Sequence, residues 1–144
     1  NEYTRDYKID LDPDFQRGYV WTEKQQIQYV EWTLRGGFSG MDIFWNCKDW
    51  NTHCPQGPIV LVDGKQRIDA ALKFLHNEIP AYGILCSEYE DRLDLLTPRF
   101  KFHIASINSR TALLNWYIAL NTGGTVHTEE EIERVKLLLQ EAND

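Results

Sequence analysis

Two spacings of apolar residues organise the chain, and each predicts an element. Ile27, Val30 and Leu34 recur at helical spacing. Thr22 and Gln25 form a capping-box pattern that opens this helix, and Gly36-Gly37 closes it. Ile68, Ala71, Leu72 and Leu75 stand at i, i+3, i+4 and i+7, which predicts a second helix with that face buried and Pro80 limiting its extent. Ser109 opens a third helix with Leu113, Leu114, Tyr117 and Ile118 inward, ending at Asn121-Thr122-Gly123-Gly124. A fourth runs from about Thr128 to Leu139. Its opening acids, Glu129, Glu130, Glu131 and Glu133, complement the positive end of the helix dipole, which accounts for them without a metal.

Period-two and continuous apolar runs predict the strands. Residues 3–11 alternate in part and read as an edge strand, followed by the turn signal Asp12-Pro13-Asp14. Residues 41–45 and 58–62 read as strands, separated by the polar stretch 46–57, a long hairpin loop or an insertion. Ile59-Val60-Leu61-Val62 is continuously apolar, as a central strand covered on both faces would be. Residues 82–85 and 100–107 are further strand candidates. In the latter, Phe100, Phe102 and Ile104 alternate with Lys101 and His103, which predicts one buried face.

Strands and helices in alternation, 144 residues and 42% hydrophobic content suit one α/β domain with its own core. The apolar runs are too short to span a membrane. No leader opens the chain, and its start at Asn1 rather than methionine predicts trimming or processing. The net charge of −7 argues against indiscriminate DNA binding, though not against a local basic pocket. Aromatic residues at 12%, five of them tryptophan, predict a packed core or an aromatic-lined groove. The three cysteines, Cys47, Cys54 and Cys86, form an odd set that predicts free thiols and a cytoplasmic location. Cys47, His53 and Cys54 do not complete a zinc ligand set, because His53 and Cys54 are adjacent and no second C-x-x-C pair exists.

Three stretches carry candidate chemistry. In Val62-Asp63-Gly64-Lys65-Gln66-Arg67, a buried strand turns on glycine into a helix N-terminus, where backbone N–H groups and the dipole favour anions. Lys65 and Arg67 add charge, and Arg67 can grip a phosphate bidentately. Asp63 could hold Mg²⁺ or position an attacking water. The competing reading makes Asp63 a helix cap and Gly64 a turn residue. Neither the P-loop nor the dinucleotide-turn spacing is present. In the second stretch, Gln16 and Arg17 lie between Phe15, Tyr19 and Trp21. Either the aromatics stack on a base while Arg17 holds phosphate, or they pin a loop to the core. In the third, Leu120-Asn121-Thr122-Gly123-Gly124-Thr125 is either a helix C-cap or an anion nest.

In this order, Asp14-Phe15-Gln16-Arg17-Gly18-Tyr19-Val20-Trp21, Gln26, the D-G-[QK]-Q-R motif at Asp63–Arg67 and Leu120–Thr125 resemble the GmrS-type N-terminal domain of the modification-dependent GmrSD restriction proteins. That domain belongs to the ParB/sulfiredoxin-like superfamily, and the resemblance runs from about Asp12 to Leu139. It implies a small mixed sheet flanked by helices, and a single nucleotide-binding domain over residues 1–144. It implies a pocket in which Asp63 and Arg67 act catalytically. Gln16, Arg17, Gly64, Lys65, Gln66, Asn121, Thr122 and Gly123 would bind nucleotide or phosphate there, with Mg²⁺ at Asp63. Lys65 stands where the family usually has glutamine, and Ala119 where it usually has a polar or basic residue. The acids gather in the last helix and at 88–94, while Arg17, Lys65 and Arg67 would converge on the pocket. Restriction members carry a C-terminal HNH nuclease, and no HNH-type metal site is expected within these residues; His76-Asn77 is an isolated pair expected at the solvated end of a helix.

The function so implied is NTP binding with Mg²⁺-dependent hydrolysis or phosphoryl transfer, in DNA restriction, defence or phage biology. A non-catalytic module that senses a nucleotide or DNA, or binds a nuclease or defence partner, is the alternative from another class. Direct DNA nicking is the third.

Overall fold

A computed structural model describes residues 8–16, 20–37, 40–89, 100–122 and 129–142. Among them, β1 (Ile9–Asp10), β2 (Asp42–Asn46), β3 (Ile59–Asp63) and β4 (Lys101–Ala105) form a four-stranded sheet in the order β1-β3-β2-β4. The helices are α1 (Glu23–Leu34), α2 (Lys65–Leu75), α3 (Arg110–Thr122) and α4 (Glu129–Glu141), with a short 3-10 turn at Cys86–Glu88. The class is mixed α/β, as the alternation of elements predicts. The chain divides into two compact units. The first comprises Asn1–Tyr19, Ile43–Asp63 and Phe102–Asp144, and the second Val20–Asp42 and Gly64–Lys101.

In the first unit β3 is central. It runs parallel to β1 (Ile9↔Ile59, Asp10↔Val60) and antiparallel to β2 (Phe44↔Asp63, Trp45↔Leu61, Asn46↔Val60). Leu61 and Val62 are adjacent and both fully buried, so both faces of the strand are covered, as its unbroken apolar run predicts. β1 sits at the sheet edge. α3 packs on β3 and α4 on α3. Phe15, Val62, Leu113, Leu114, Tyr117 and Val135 form the resulting core. Ser109 caps α3 through a bond from the Ala112 N–H to its Oγ (3.2 Å).

Residues 47–58 connect β2 and β3 as a hairpin loop organised by one carboxylate. Asp49 accepts from the backbone N–H of Gln56 (2.7 Å) and of Gly57 (3.3 Å), and from the Cys47 thiol (3.0 Å). These bonds, the one from Gln56 foremost, lower the Asp49 pKa. Burial, and then the neighbouring carboxylate, push the Cys47 thiol up. Cys47, Cys54 and Cys86 are unbridged.

β4 corrects the alternation reading. Phe102 is 57% exposed, and Ile104 and Ala105 are only half-buried. Alternation distinguishes the two faces of a strand but does not say whether a layer covers either. β4 is an edge strand. Its aromatic residues lie against β2 instead: Phe102 edge-on to Trp45 (5.6 Å between centroids) and His103 stacked on Phe44 (4.7 Å).

In the second unit α1 begins with the predicted capping box. The Gln25 N–H donates to Thr22 Oγ1 (3.3 Å), and the Thr22 N–H donates to Gln25 Oε1 (2.9 Å). The helix ends in a Schellman turn, with Gly36 at φ 89° and bonds from Gly36 N to Thr33 O and from Gly37 N to Trp32 O. Its most buried face is Gln26, Val30 and Thr33, with Ile27 and Leu34 half-buried. Thr33 tolerates burial because its hydroxyl donates to Tyr29 O (3.0 Å).

The buried face of α2 is also rotated from the predicted one. Ala70, Ala71 and Phe74 are buried, while Ile68, Leu72 and Leu75 are only half so. α2 packs against α1, and Ala70 and Phe74 join Val30, Ile79 and Ala81 in the core. A small residue permits the close approach that a strip of large aliphatics prevents. The helix stops at Leu75, well before Pro80. Asn77 adopts φ 60° and completes a second Schellman turn (Asn77 N to Phe74 O, Glu78 N to Lys73 O). His76 and Asn77 are exposed, and Asn77 Oδ1 accepts from the Ser87 N–H (3.0 Å). Residues 82–85 are not a strand. Tyr82 (φ 52°) and Gly83 (φ 75°) make a tight turn closed by the Ala81↔Ile84 bridge.

Asn46 supplies a checkable consequence. Its side chain is 2% exposed, donates from Nδ2 to Ile107 O (3.0 Å) and accepts at Oδ1 from Ile107 N (2.8 Å). Asn46→Ala leaves a buried N–H and a buried C=O without partners, and is expected to cost about 2–4 kcal/mol. Asn46→Asp keeps an acceptor for the N–H but places acceptor against acceptor at the Ile107 carbonyl. Chemical denaturation should show both variants destabilised.

Candidate functional site

The junction of β3 and α2 is set by Gly64. It is buried, takes φ 110° and occupies the N-cap position, so no side chain caps α2. Asp63 is therefore the half-buried last residue of β3 and not the helix cap. The first turn of α2 contains Lys65, Gln66 and Arg67 and no acid. A helix N-terminus carries a positive partial charge and ordinarily favours Asp or Glu there. Here two cations add to that positive end.

Within the first unit, Gln16 is fastened to the end of β3. Pairing with β1 reaches only Ile59 and Val60. Beyond it, Gln16 Nε2 donates to the carbonyls of Leu61 (3.1 Å) and Val62. The turn that presents Gln16 closes through Gln16 N to Pro13 O (2.9 Å), one residue later than the turn signal suggests. Phe15 is buried beside Tyr117 (centroids 4.9 Å apart). Arg110 pairs with the Asp14 carboxylate, and Arg134 donates to the carbonyls of Asp14 (2.7 Å) and Phe15 (3.0 Å). No local pattern marks either arginine as a partner of this turn, and both were missed by sequence reasoning.

Within the second unit, Gln66 Oε1 accepts from the Trp21 N–H (2.9 Å). Trp21 packs at a tilt on Tyr29 (5.5 Å). Tyr29 donates its hydroxyl to Gly40 O (2.9 Å). Gly40 adopts φ 72°, and a Cβ there would lie 3.7 Å from both Arg67 Cδ and the Tyr29 ring. Arg67 thus borders Tyr29. Burial raises the Tyr29 pKa, while the Arg67 charge and a hydrogen bond with Thr33 act in the opposite sense.

The structure thus sets Gln16 and Asp63 on the first unit, and Gly64, Lys65, Gln66 and Arg67 on the second. Of the first stretch, Phe15 is a core residue of the first unit and Trp21 packs half-buried against the core of the second, so the pinned-loop reading holds for those two. Arg17, Gly18 and Tyr19 lie outside the described residues, as do Gly123 and the rest of 123–128; Asn121 and Thr122 are described only as the last residues of α3.

Fold and junction together define an α/β domain with a strand–glycine–helix turn whose first helical turn is cationic. The chain belongs to the family described as the N-terminal domain of the GmrSD restriction endonuclease, which matches residues 1–111. No curated protein and no solved structure matches the chain. Among the described residues, no helix is long and apolar enough to cross a membrane.

Gly64→Ala should cost about 1–3 kcal/mol, because alanine is strained at this backbone angle; denaturant titration of the variant measures it. The raised Tyr29 pKa gives a sign in alkali. Its contribution to stability is fully present below the usual tyrosine pKa of 10.0 and is lost as pH rises through the higher folded value. Burial pushes Tyr89 up as well, so the informative quantity is a difference. The alkaline fall in melting temperature should be shallower in Tyr29→Phe than in the unsubstituted protein.

Proposed function

We propose that this domain binds the triphosphate of a nucleotide at the start of α2, with Lys65, Arg67 and the Gly64 backbone as phosphate ligands. One observation carries the reading: the first turn of α2 holds two cations, no acid and no capping side chain. A polyanion at this turn is attracted by the helix N-terminus and by both cations. Gln66 holds Trp21 beside this turn. Gln16 contributes by holding the end of β3. The family match supports a link to DNA restriction and defence; DNA or a nuclease is the partner this reading proposes. A ParB/sulfiredoxin-like fold agrees with the small mixed sheet.

Mg²⁺ fits this arrangement as an ion carried by the nucleotide. Among the described residues no three His, Cys, Asp or Glu side chains gather as a metal cage. Mg²⁺ bound to a triphosphate needs only one or two protein carboxylates. Asp63, which precedes Gly64 in the chain, is the carboxylate that would hold it. When bound, the ion neutralises charge on the phosphates. Lys65 and Arg67 would stabilise charge on the transferred phosphoryl group, and orienting the attacking water is the alternative role for Asp63. Arg17, within the matched residues 1–111, and Asn121, Thr122 and Gly123, beyond them, are proposed to position the nucleotide on the motif resemblance alone.

Calorimetric titration with ATP, GTP, CTP and UTP in the presence of Mg²⁺ tests the proposal. At least one should bind, and Arg67→Ala and Lys65→Ala should each weaken it by about tenfold or more, the worth of a charged hydrogen bond. Absence of binding to all four at millimolar concentration overturns the reading. Binding without phosphate release assigns the domain to sensing rather than hydrolysis.

A further inference from the structure

A relay of hydrogen bonds in the first unit runs from the last helix to the end of the central strand. Arg134 of α4 donates from Nη1 to Asp14 O (2.7 Å) and from Nη2 to Phe15 O (3.0 Å). The next residue, Gln16, donates from its carboxamide to Leu61 O and Val62 O. Asp63 follows Val62 directly. We infer that Arg134 is a positioning residue: by clamping two successive carbonyls of the 13–16 turn, it fixes Gln16 and, through Gln16, the strand end that carries Asp63. This rests on the proposed role of Asp63 toward a nucleotide-borne Mg²⁺. The family match ends at residue 111, so it assigns nothing to α4.

The geometry requires an arginine. Two N–H groups in a rigid planar fork reach two neighbouring carbonyls at once, whereas a lysine ammonium acts as a point charge on a flexible stem. The Asp14 carboxylate has its own partner in Arg110, so the clamp does not depend on charge neutralisation at Asp14. Phe15 is buried against Tyr117, which anchors the same turn in the core.

The full chain serves for the test, with variants Arg134→Met, Arg134→Lys and Asp14→Asn. The first measurement is amide hydrogen exchange without nucleotide. Arg134→Met should speed exchange by tenfold or more at Gln16 and at residues 61–63, beyond any change at Leu113 or Leu114. Arg134→Lys should fail to restore protection, and Asp14→Asn should retain it. The second is ATP, GTP, CTP and UTP affinity with and without Mg²⁺. Arg134→Met should lose most of the gain that Mg²⁺ gives while keeping the metal-free affinity that Lys65 and Arg67 supply. A uniform loss of both affinities, unchanged exchange at 61–63, or full rescue by Arg134→Lys would overturn the inference and leave Arg134 a packing residue. If the unsubstituted protein binds no nucleotide, the functional proposal fails by itself, and the exchange pattern alone decides whether Arg134 controls the strand end.

Discussion

β3 is buried on both faces, and its edge strand β1 covers only its first two residues. The carbonyls of Leu61 and Val62 lie beyond that pairing, at the buried end of the strand. Buried carbonyls without partners are costly, so the strand needs a donor there. Gln16 is that donor, supplied from a turn rather than from a strand. The rest of the first unit follows from keeping the turn in place. Phe15 goes into the core against Tyr117, Arg110 holds the Asp14 side chain, and Arg134 holds two backbone carbonyls. Asp63 is the residue presented as a result.

The second unit meets a different constraint. α2 begins at a left-handed glycine and carries its cations at the end where the dipole disfavours them. Packing and the Schellman turn at its C-terminus hold this helix. Ala70 and Phe74 join Val30 of α1 in the core, and Gln66 ties the first turn to Trp21. The same unit places Arg67 beside Tyr29 and Gly40.

Elements whose signals are local were legible. The Thr22–Gln25 box, the Ser109 cap, the Gly36-Gly37 stop and the turn at Gly64 each involve residues within a few positions of one another. The apolar run of β3 likewise announced burial on both faces. The readings that moved were those that needed a neighbour. The buried face of α2 turned toward Ala70 and Phe74 because α1 lies on that side. Phe102 is exposed because, among the described residues, no layer covers the edge strand. Residues 82–85 turned instead of extending because Tyr82 and Gly83 both adopt positive φ, which a run of apolar letters does not reveal.

The sequence by itself determined where α1 starts and stops and where α3 begins, which strand is central, and that Asp63, Gly64, Lys65 and Arg67 stand at a strand–helix turn. Those facts follow from chain-local chemistry: cap spacing, glycine and charge at a terminus. Only the tertiary structure decided what Gln16 and Gln66 do, that Asp63 ends a strand instead of capping a helix, and that Arg110 and Arg134 govern the 13–16 turn. These partners lie far apart in the chain, and whether an arginine meets a carboxylate, a carbonyl or water is settled by packing, to which spacing along the sequence is blind.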